Sequence, residues 1–197
     1  MRIFVGIDLD DGIRGKIARL IEGVSGFAPE ARFVRPESLH VTLKFIGEQR
    51  PEQVEAITKK LRGIEAQPIE IRLAGYGFFP TPKAPRVFWI GIHSGPELAK
   101  LAKQIDAATA EVGIPREERE FSPHLTLARA GGRSGDPKWR KSDGPNSIFG
   151  VLQKRLAAMS EMEFGRMTAV EFILFQSQFS PAGSKYTKLE RFALRSA

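Results

Sequence analysis

The sequence contains one short pattern twice: a histidine, any residue, a threonine and a leucine. The two copies are His40–Leu43 (HVTL) and His124–Leu127 (HLTL), and they use two of the three histidines in the 197-residue chain. The apolar and β-branched residues of each copy predict a β-strand. Because residues i and i+2 of a strand point to the same face, each strand would place an imidazole beside a hydroxyl on one surface.

Two such strands facing each other would surround a small space with two imidazoles and two hydroxyls. Histidine has the unperturbed pKa nearest neutrality, so one ring can act as a neutral base while the other acts as a charged acid. This arrangement suits in-line chemistry at a phosphodiester, and the residues alone leave open which histidine has which role. Thr42 and Thr126 would donate hydrogen bonds to the non-bridging phosphate oxygens, where negative charge builds up. Ordinary strand propensity is the alternative explanation for the two threonines.

Strand-like and helix-like segments alternate around both motifs. The predicted strands are Arg2–Asp8, Arg32–Val34, Leu39–Phe45, Ile69–Leu73, Val87–Ile92, His124–Arg129, Ala169–Ser177 and Tyr186–Leu194. The predicted helices are Asp10–Val24, Pro51–Arg62, Gly95–Val112 and Ile148–Met159, and the Gly/Pro-rich stretches Gly75–Pro85 and Ala130–Asn146 are predicted loops. We therefore expect an α+β protein that forms a single domain over residues 1–197. Two similar halves, about 1–94 and 95–197, would each supply one motif strand.

The segments around the motifs resemble a known family. Ser38–Glu48 (SLHVTLKFIGE) and Phe121–Arg129 (FSPHLTLAR) are similar to the two signatures of the two-histidine phosphoesterases. More narrowly, they resemble the RNA 2′,3′-cyclic phosphodiesterases, also called 2′-5′ RNA ligase-like proteins. Met1–Ile7 and Pro181–Tyr186 fit as well, although Phe33 stands where members often carry tryptophan. The resemblance implies a bilobed, pseudo-twofold LigT-like fold, with two lobes of antiparallel sheet plus helices around a central cleft and both termini in one lobe.

The resemblance also implies an activity. This is metal-independent hydrolysis of RNA 2′,3′-cyclic phosphate ends to 2′-phosphates, with His40 as the proton donor, His124 as the proton acceptor and no cofactor. It further implies that Arg129 reaches the nucleotide and that Phe79 stacks on its base, although packing of the loop around Phe79 is an alternative. Arg129 lies at an odd offset from His124, so its reach into the cleft requires the strand to end or bulge near Ala128.

Four further residues lie near these patterns. Lys44 is at i+4 from His40, so a regular strand would put it on the cleft side, where it either adds positive potential or is simply solvated. We expect the ring of Tyr186 to pack in the core near the cleft. Trp139 is either an RNA contact or part of a solvated loop, and we expect His93 to be structural.

Composition narrows the function classes. The net charge of +7 and the pI of about 9.9 favour a polyanionic partner, and five basic residues lie between Arg129 and Lys141 against one acid. The absence of cysteine excludes disulfides, thiolate metal sites and a cysteine nucleophile, and no carboxylate lies in either motif, so no catalytic metal is expected. With neither a signal segment nor a long apolar run, we expect a cytoplasmic protein. We also expect it to be a monomer. Its partner would be RNA with a 2′,3′-cyclic phosphate end or a small cyclic nucleotide.

Two other functions fit the same residues. Joining of RNA halves through a 2′-5′ bond is the reverse chemistry at the same site. We expect hydrolysis instead, because water outcompetes a hydroxyl nucleophile unless the second strand is well held. A non-catalytic module that binds RNA ends through the basic segment is the third possibility, and the presence of both intact motifs argues against it.

Overall fold

The computed structural model describes residues 1–131, 147–180 and 183–195. Within these ranges the strands are Arg2–Asp8 (β1), Arg32–Phe33 (β2), His40–Glu48 (β3), Ile69–Thr81 (β4), Ala84–Ser94 (β5), His124–Arg129 (β6), Glu163–Ala169 (β7), Glu171–Ser180 (β8) and Gly183–Ala193 (β9). The helices are Asp11–Val24 (α1), Pro51–Leu61 (α2), Pro96–Ala110 (α3) and Gly150–Ala157 (α4).

The strands form two antiparallel sheets, and each sheet contains one motif strand. The first sheet has the order β3-β1-β8-β9, and the second has the order β2-β6-β5-β4-β7. The first strand and the last strand of the chain belong to the same sheet, as the resemblance implied. The structure thus confirms the predicted α+β class with antiparallel sheets.

The helices form where the chain supplies caps and apolar stripes. The side chain of Asp10 caps α1 by accepting a hydrogen bond from the backbone nitrogen of Ile13 at 2.7 Å. Helices α2 and α3 have proline at the first position, where the missing N–H costs no hydrogen bond. Helix α3 packs against β3 and α2, whereas α1 packs against β7. Each sheet is therefore in contact with at least one helix.

Most of the buried apolar residues in the described ranges belong to one of two clusters with different positions. The large cluster contains residues of both sheets and of all four helices. The small cluster consists of Phe4, Ile173 and Phe175, with Tyr186 packed against it. On β1 the neighbours of Phe4, namely Ile3 and Val5, belong to the large cluster. The small cluster therefore lies on the opposite face of the first sheet, the face that carries His40.

The prediction of a loop over Gly75–Pro85 is wrong, because most of this stretch belongs to the β4–β5 hairpin. Its glycines serve the hairpin. Gly75 has a φ of 69° and lies at the register shift between Leu73 and Tyr76, as expected for a β-bulge. A Cβ on Gly77 would lie 2.1 Å from the indole of Trp89, so only glycine fits there. The glycines mark a bulge and a close approach between strands rather than the end of a strand.

Strand β7 was not predicted, because its polar and glycine residues hide the strand pattern. The predicted final strands are one to three residues offset from β8 and β9, and α4 is shorter than the predicted Ile148–Met159. Most of the predicted loop Ala130–Asn146, including Trp139 and the basic residues Arg133, Lys138, Arg140 and Lys141, lies outside the described residues. Within the part of the chain that is described, no helix has the length and apolar character needed to span a membrane.

Candidate active site

Both motif strands contain a β-bulge at the same position relative to the histidine. On β3, Thr42 pairs with Gly6 and Lys44 pairs with Val5, so Leu43 is an extra residue. On β6, Thr126 pairs with Trp89 and Ala128 pairs with Phe88, so Leu127 is an extra residue. A bulge interrupts the in–out alternation of a strand. The residue five positions after each histidine therefore lies on the same face as the histidine and the threonine.

The bulge on β6 brings Arg129 to the face of His124. His124, Thr126 and Arg129 are partly exposed, whereas Leu125, Leu127 and Ala128 are fully buried. A regular strand would have turned Arg129 to the opposite side. The structure thus contains the bulge near Ala128 that the reach of Arg129 required.

The bulge on β3 reverses the orientation predicted for Lys44. The Lys44 side chain is only 4% exposed and forms an ion pair with Asp106 of α3, and its ammonium also donates to the Pro115 carbonyl at 3.0 Å. The prediction that Lys44 lies on the cleft side is wrong because it assumed a regular strand. Phe45 occupies the position equivalent to Arg129, and it is 53% exposed.

The two histidine rings are oriented in the same way. Nδ1 of His40 lies 2.8 Å from the carbonyl oxygen of Ser38, and Nδ1 of His124 lies 2.8 Å from that of Ser122. A carbonyl oxygen can only accept a hydrogen bond, so each Nδ1 carries the proton and is the donor. In a neutral ring, Nε2 then has a free lone pair. Among the described residues, neither Nε2 and neither hydroxyl of Thr42 and Thr126 has a hydrogen-bond partner. All four groups are therefore available to a ligand.

His40 lies on an aromatic surface. Its ring centroid is 4.6 Å from that of Phe4 and 5.0 Å from that of Tyr186, which meets it edge-on at 89°. A Cβ on Gly6 would lie 2.8 Å from the Val41 carbonyl oxygen and 3.5 Å from the His40 ring, so glycine allows β1 and β3 to approach here. The predicted packing of Tyr186 is correct, and the structure adds that its ring touches His40.

A charged group lies directly across from His40 on β1. Asp8 pairs with His40 in the strand register, and its carboxylate accepts hydrogen bonds from Arg14 and Lys188. Burial raises the pKa of Asp8, but the Lys188 hydrogen bond and the charge of Arg14 outweigh burial and hold that pKa below its usual value. His40 therefore has an ionised carboxylate near it at neutral pH.

His124 lies beside a second pair of aromatic rings. Phe79 meets its imidazole edge-on, with centroids 4.9 Å apart, and Trp89 is 6.4 Å away. Phe79 and Trp89 are themselves in contact at 4.9 Å. The structure thus brings Phe79 to the motif histidine. Sequence reasoning missed Trp89, since its place opposite Thr126 depends on the strand register.

The two motif strands meet although they belong to different sheets. Strands β3 and β6 are in contact, and the positive charge of Arg129 lowers the pKa of both His40 and His124. Arg129 also interacts electrostatically with Tyr186, on the last strand of the first sheet. The two histidines and Arg129 therefore share one site. His93 does not belong to it; its Nε2 lies 3.1 Å from the Ala74 carbonyl oxygen on the adjacent strand β4.

Burial dominates the ionisation of both imidazoles. Burial, helped by the charges of Arg129 and Arg14, outweighs the Ser38 carbonyl and Asp8, which raise the pKa of His40, and the net result is a pKa lowered from 6.5 to about 4. Burial and Arg129 also lower the pKa of His124, and the Ser122 carbonyl raises it. Both rings are therefore neutral near pH 7 in the unliganded protein. A bound anion would favour the charged form and raise both pKa values.

The chain is similar to known proteins in sequence and in fold. The family model described as LigT like Phosphoesterase matches residues 7–89 and again residues 90–186. This chain belongs to the LigT-like phosphoesterase family. The RNA 2′,3′-cyclic phosphodiesterases of Methanothermobacter thermautotrophicus and Archaeoglobus fulgidus are each 34% identical to it, and in both cases the match covers 98% of this chain and 99% of the relative.

Solved structures of this family have the same fold. The protein TT0787 of Thermus thermophilus is 26% identical and superposes with a TM-score of 0.77. E. coli LigT complexed with 3′-AMP is 27% identical and superposes with a TM-score of 0.76. Each match covers 99% of this chain and 98% of the other. The bilobed fold implied by the sequence is thereby confirmed.

Proposed function

We propose that this protein hydrolyses 2′,3′-cyclic phosphates at RNA ends and leaves a 2′-phosphomonoester. One observation carries the proposal: two strands from different sheets present equivalent imidazole and hydroxyl groups to a single site that also holds Arg129. The names of the relatives support the same reaction and favour hydrolysis over 2′-5′ ligation. The positive net charge supports a polyanionic substrate.

The two histidines would share the proton transfers. Nε2 of His124 takes a proton from a water molecule as its oxygen attacks phosphorus. The bond between phosphorus and the ribose O3′ breaks in line, and His40 gives a proton from Nε2 to the departing O3′. The phosphate then remains on O2′. His40 starts the step charged and His124 starts it neutral. Before the next turnover, His124 must release its proton to solvent and His40 must take one up.

The difference in surroundings supports this assignment of roles. Asp8 raises the pKa of His40. It pairs with His40 in the register of β1 and β3, so His40 has a fixed negative neighbour. A substrate phosphate adds a second negative charge and offsets Arg129, so it would raise the pKa of His40 from its low value in the unliganded protein. The binding of substrate would thus charge the donor.

The remaining site residues would bind the substrate. Thr42 and Thr126 donate to the two non-bridging oxygens, where charge develops as water attacks. The guanidinium of Arg129 adds a positive charge on the same face. The ring of Phe79, edge-on to His124, lies where it could stack on the base of the cyclic nucleotide.

The test uses a short RNA that ends in a 2′,3′-cyclic phosphate, with a chelator and without any nucleotide cofactor. We expect a 2′-phosphate as the product. Because each histidine supplies a general acid or base, His40→Ala and His124→Ala should each lower kcat about 100-fold or more. His93→Ala is the matched control and should retain activity, since its ring binds a carbonyl on β4. An untouched RNA end, or a 3′-phosphate product, would refute the proposal.

A further inference from the structure

The two histidines differ in how the residue two positions before each one is held. Ser38 is 6% exposed, and its hydroxyl donates to the carbonyl oxygen of Ser184 at 3.3 Å. Ser122 is exposed, and its hydroxyl has no hydrogen bond to any other residue within the described ranges. Yet both serines use their carbonyl oxygen for the same purpose, to accept a hydrogen bond from Nδ1 of a motif histidine. The two halves of the site therefore match in the hydrogen bond to each histidine. They differ in how the serine that accepts this bond is itself held.

The segment that precedes His40 in the sequence is held by further hydrogen bonds. A guanidinium nitrogen of Arg35 donates to the same Ser184 carbonyl at 3.2 Å. From the other side, Arg14 of α1 donates to the Pro36 carbonyl at 2.6 Å. The backbone that carries the Ser38 carbonyl is thus fixed between α1 and the start of β9.

The start of β9 also contacts His40 directly. Tyr186 lies two residues after Ser184, and its ring packs edge-on against the imidazole with centroids 5.0 Å apart. Phe4 supports both rings, at 4.6 Å from His40 and 5.0 Å from Tyr186. One short piece of the C-terminal strand therefore reaches His40 by two routes, through the Ser184 carbonyl and through the Tyr186 ring.

We propose that the start of β9 is a positioning device for His40, in which Ser38 and Tyr186 act as positioning residues for the proton donor. Ser38 transmits the position of β9 to the carbonyl that orients Nδ1, and Tyr186 limits rotation of the ring. Ser122 gives His124 no comparable support within the described part of the chain. This inference rests on the proposed function, in which His40 gives its proton to a leaving oxygen at a defined point.

The asymmetry has a chemical reason. A proton donor must lie within hydrogen-bond reach of the leaving oxygen at the moment the bond breaks, and small displacements of a catalytic group cost large factors in rate. A base that takes a proton from water can tolerate more positional freedom, because the water molecule itself adjusts. The donor therefore gains more from a rigid support than the acceptor does.

The experiment compares Ser38→Ala with Ser122→Ala, which are equivalent positions in the two motifs. We expect Ser38→Ala to lower kcat about 10-fold with KM changed less than about 2-fold, because the loss of position acts on the reaction step. Ser122→Ala should change neither parameter by more than about 2-fold, and Ser38→Thr should restore most of the loss. Equal effects at the two serines, or an effect of Ser38→Ala on KM alone, would overturn the proposal.

A second measurement reads the position of His40 without any substrate. In ¹⁵N spectra of the histidine side chains, we expect the wild-type His40 ring to be a single Nδ1–H tautomer. Ser38→Ala and Tyr186→Leu should both give a mixture of tautomers at His40, while the His124 signals stay unchanged. Tyr186→Phe keeps the ring and should behave as wild type, so the two Tyr186 variants carry the test if Ser38→Ala does not fold. Unchanged His40 signals in the folded Ser38→Ala and Tyr186→Leu proteins would refute the positioning role, whether or not the protein hydrolyses RNA ends.

Discussion

At the scale of single residues, two identical side chains acquire different properties from their neighbours. His40 and His124 each donate Nδ1–H to a carbonyl two residues earlier, and burial lowers the pKa of both. Of the two, His40 has a carboxylate across the strand, and it also feels the charge of Arg14. In the proposed mechanism, the different roles of the two histidines would arise from these surrounding charges, because the local motif is the same.

These charges predict the pH dependence of the reaction. The parameter kcat/KM reports groups of the free enzyme, whose histidines have pKa values below 6.5, so we expect its optimum on the acid side of 6.5. The optimum of kcat should lie at higher pH, because bound phosphate raises both pKa values. Rate measurements from acid to alkaline pH check this. Coincident optima on the alkaline side of neutrality would contradict it.

Asp8→Asn tests the charge beside His40. Removal of the carboxylate lowers the pKa of His40, so less of the donor is protonated as the pH rises. We expect kcat/KM to fall more at neutral pH than at acidic pH, and the limb due to His40 to move to lower pH. Asp11→Asn, an exposed acid on the following helix, is the control and should leave the profile unchanged. A uniform loss at every pH would indicate a structural effect of Asp8 instead.

Phe79→Ala tests the aromatic wall beside His124. Stacking on an aromatic ring contributes roughly 1–3 kcal/mol per base, so we expect kcat/KM for RNA with a cyclic end to fall about 10-fold. Phe79→Tyr should retain most of the activity, since it keeps the ring face. Phe27→Ala removes another exposed ring, one that contacts Arg155, and should have no effect. Equal kinetics for Phe79→Ala and wild type would exclude a stacking role.

At the scale of secondary-structure elements, the paired bulges decide which side chains enter the site. Each bulge follows the motif threonine, and each turns the fifth residue after the histidine toward the ligand face. The same shift buries Lys44, whose ion pair with Asp106 joins β3 to α3. Helix α3 is therefore attached to β3 through Lys44, a residue that a regular strand would place on the cleft side.

Lys44→Met tests this attachment. Asp106 loses its main partner but keeps the Glu117 backbone N–H and the more distant Arg116, so we expect the free energy of unfolding to fall by about 2 kcal/mol. Lys60→Met breaks the exposed pair with Glu111 and should change it by less than about 0.5 kcal/mol. Denaturant unfolding measures both. Because Lys44 faces away from the ligand, kcat of the folded variant should match that of the wild type. A large loss of kcat would indicate that Lys44 faces the cleft after all.

At the scale of the whole molecule, the site exists because the chain returns to its starting sheet. Strands β8 and β9, formed by the last part of the chain, complete the sheet that β1 begins and bring Tyr186 to His40. The second sheet contributes Arg129, whose charge reaches both histidines. Both sheets must therefore fold before the site is complete.

The buried histidines predict a loss of stability in acid. A histidine whose pKa is lower in the folded protein than its unfolded value of 6.5 contributes stability that is present above pH 6.5. That contribution is lost as the pH falls toward the folded value, about 4 for His40, and the low pKa values of Asp8 and Asp106 extend the loss below 3.8. We expect the free energy of unfolding to decrease over this window, and His40→Asn to show a smaller decrease. Stability that is constant from neutral pH to about 4 would contradict the burial of these rings.

Local periodicity was enough to predict several parts of this protein. A strand repeats every two residues, so His40 and Thr42, and likewise His124 and Thr126, must share a face wherever the strands lie. The apolar spacing of α1 and α3 and the prolines that begin α2 and α3 made the helices predictable for the same reason. Local geometry acts between neighbouring residues and needs no knowledge of the fold.

Where those faces meet, and what surrounds them, depends on contacts between distant parts of the chain. The bulges depend on pairing with β1 and β5, and they placed Arg129 in the site, buried Lys44 and exposed Phe45. The contacts of Tyr186 with His40 and of Trp89 with Phe79 depend on which strands pair and in which register. Strand register and the convergence of two sheets depend on pairing and burial between segments that lie far apart in the chain.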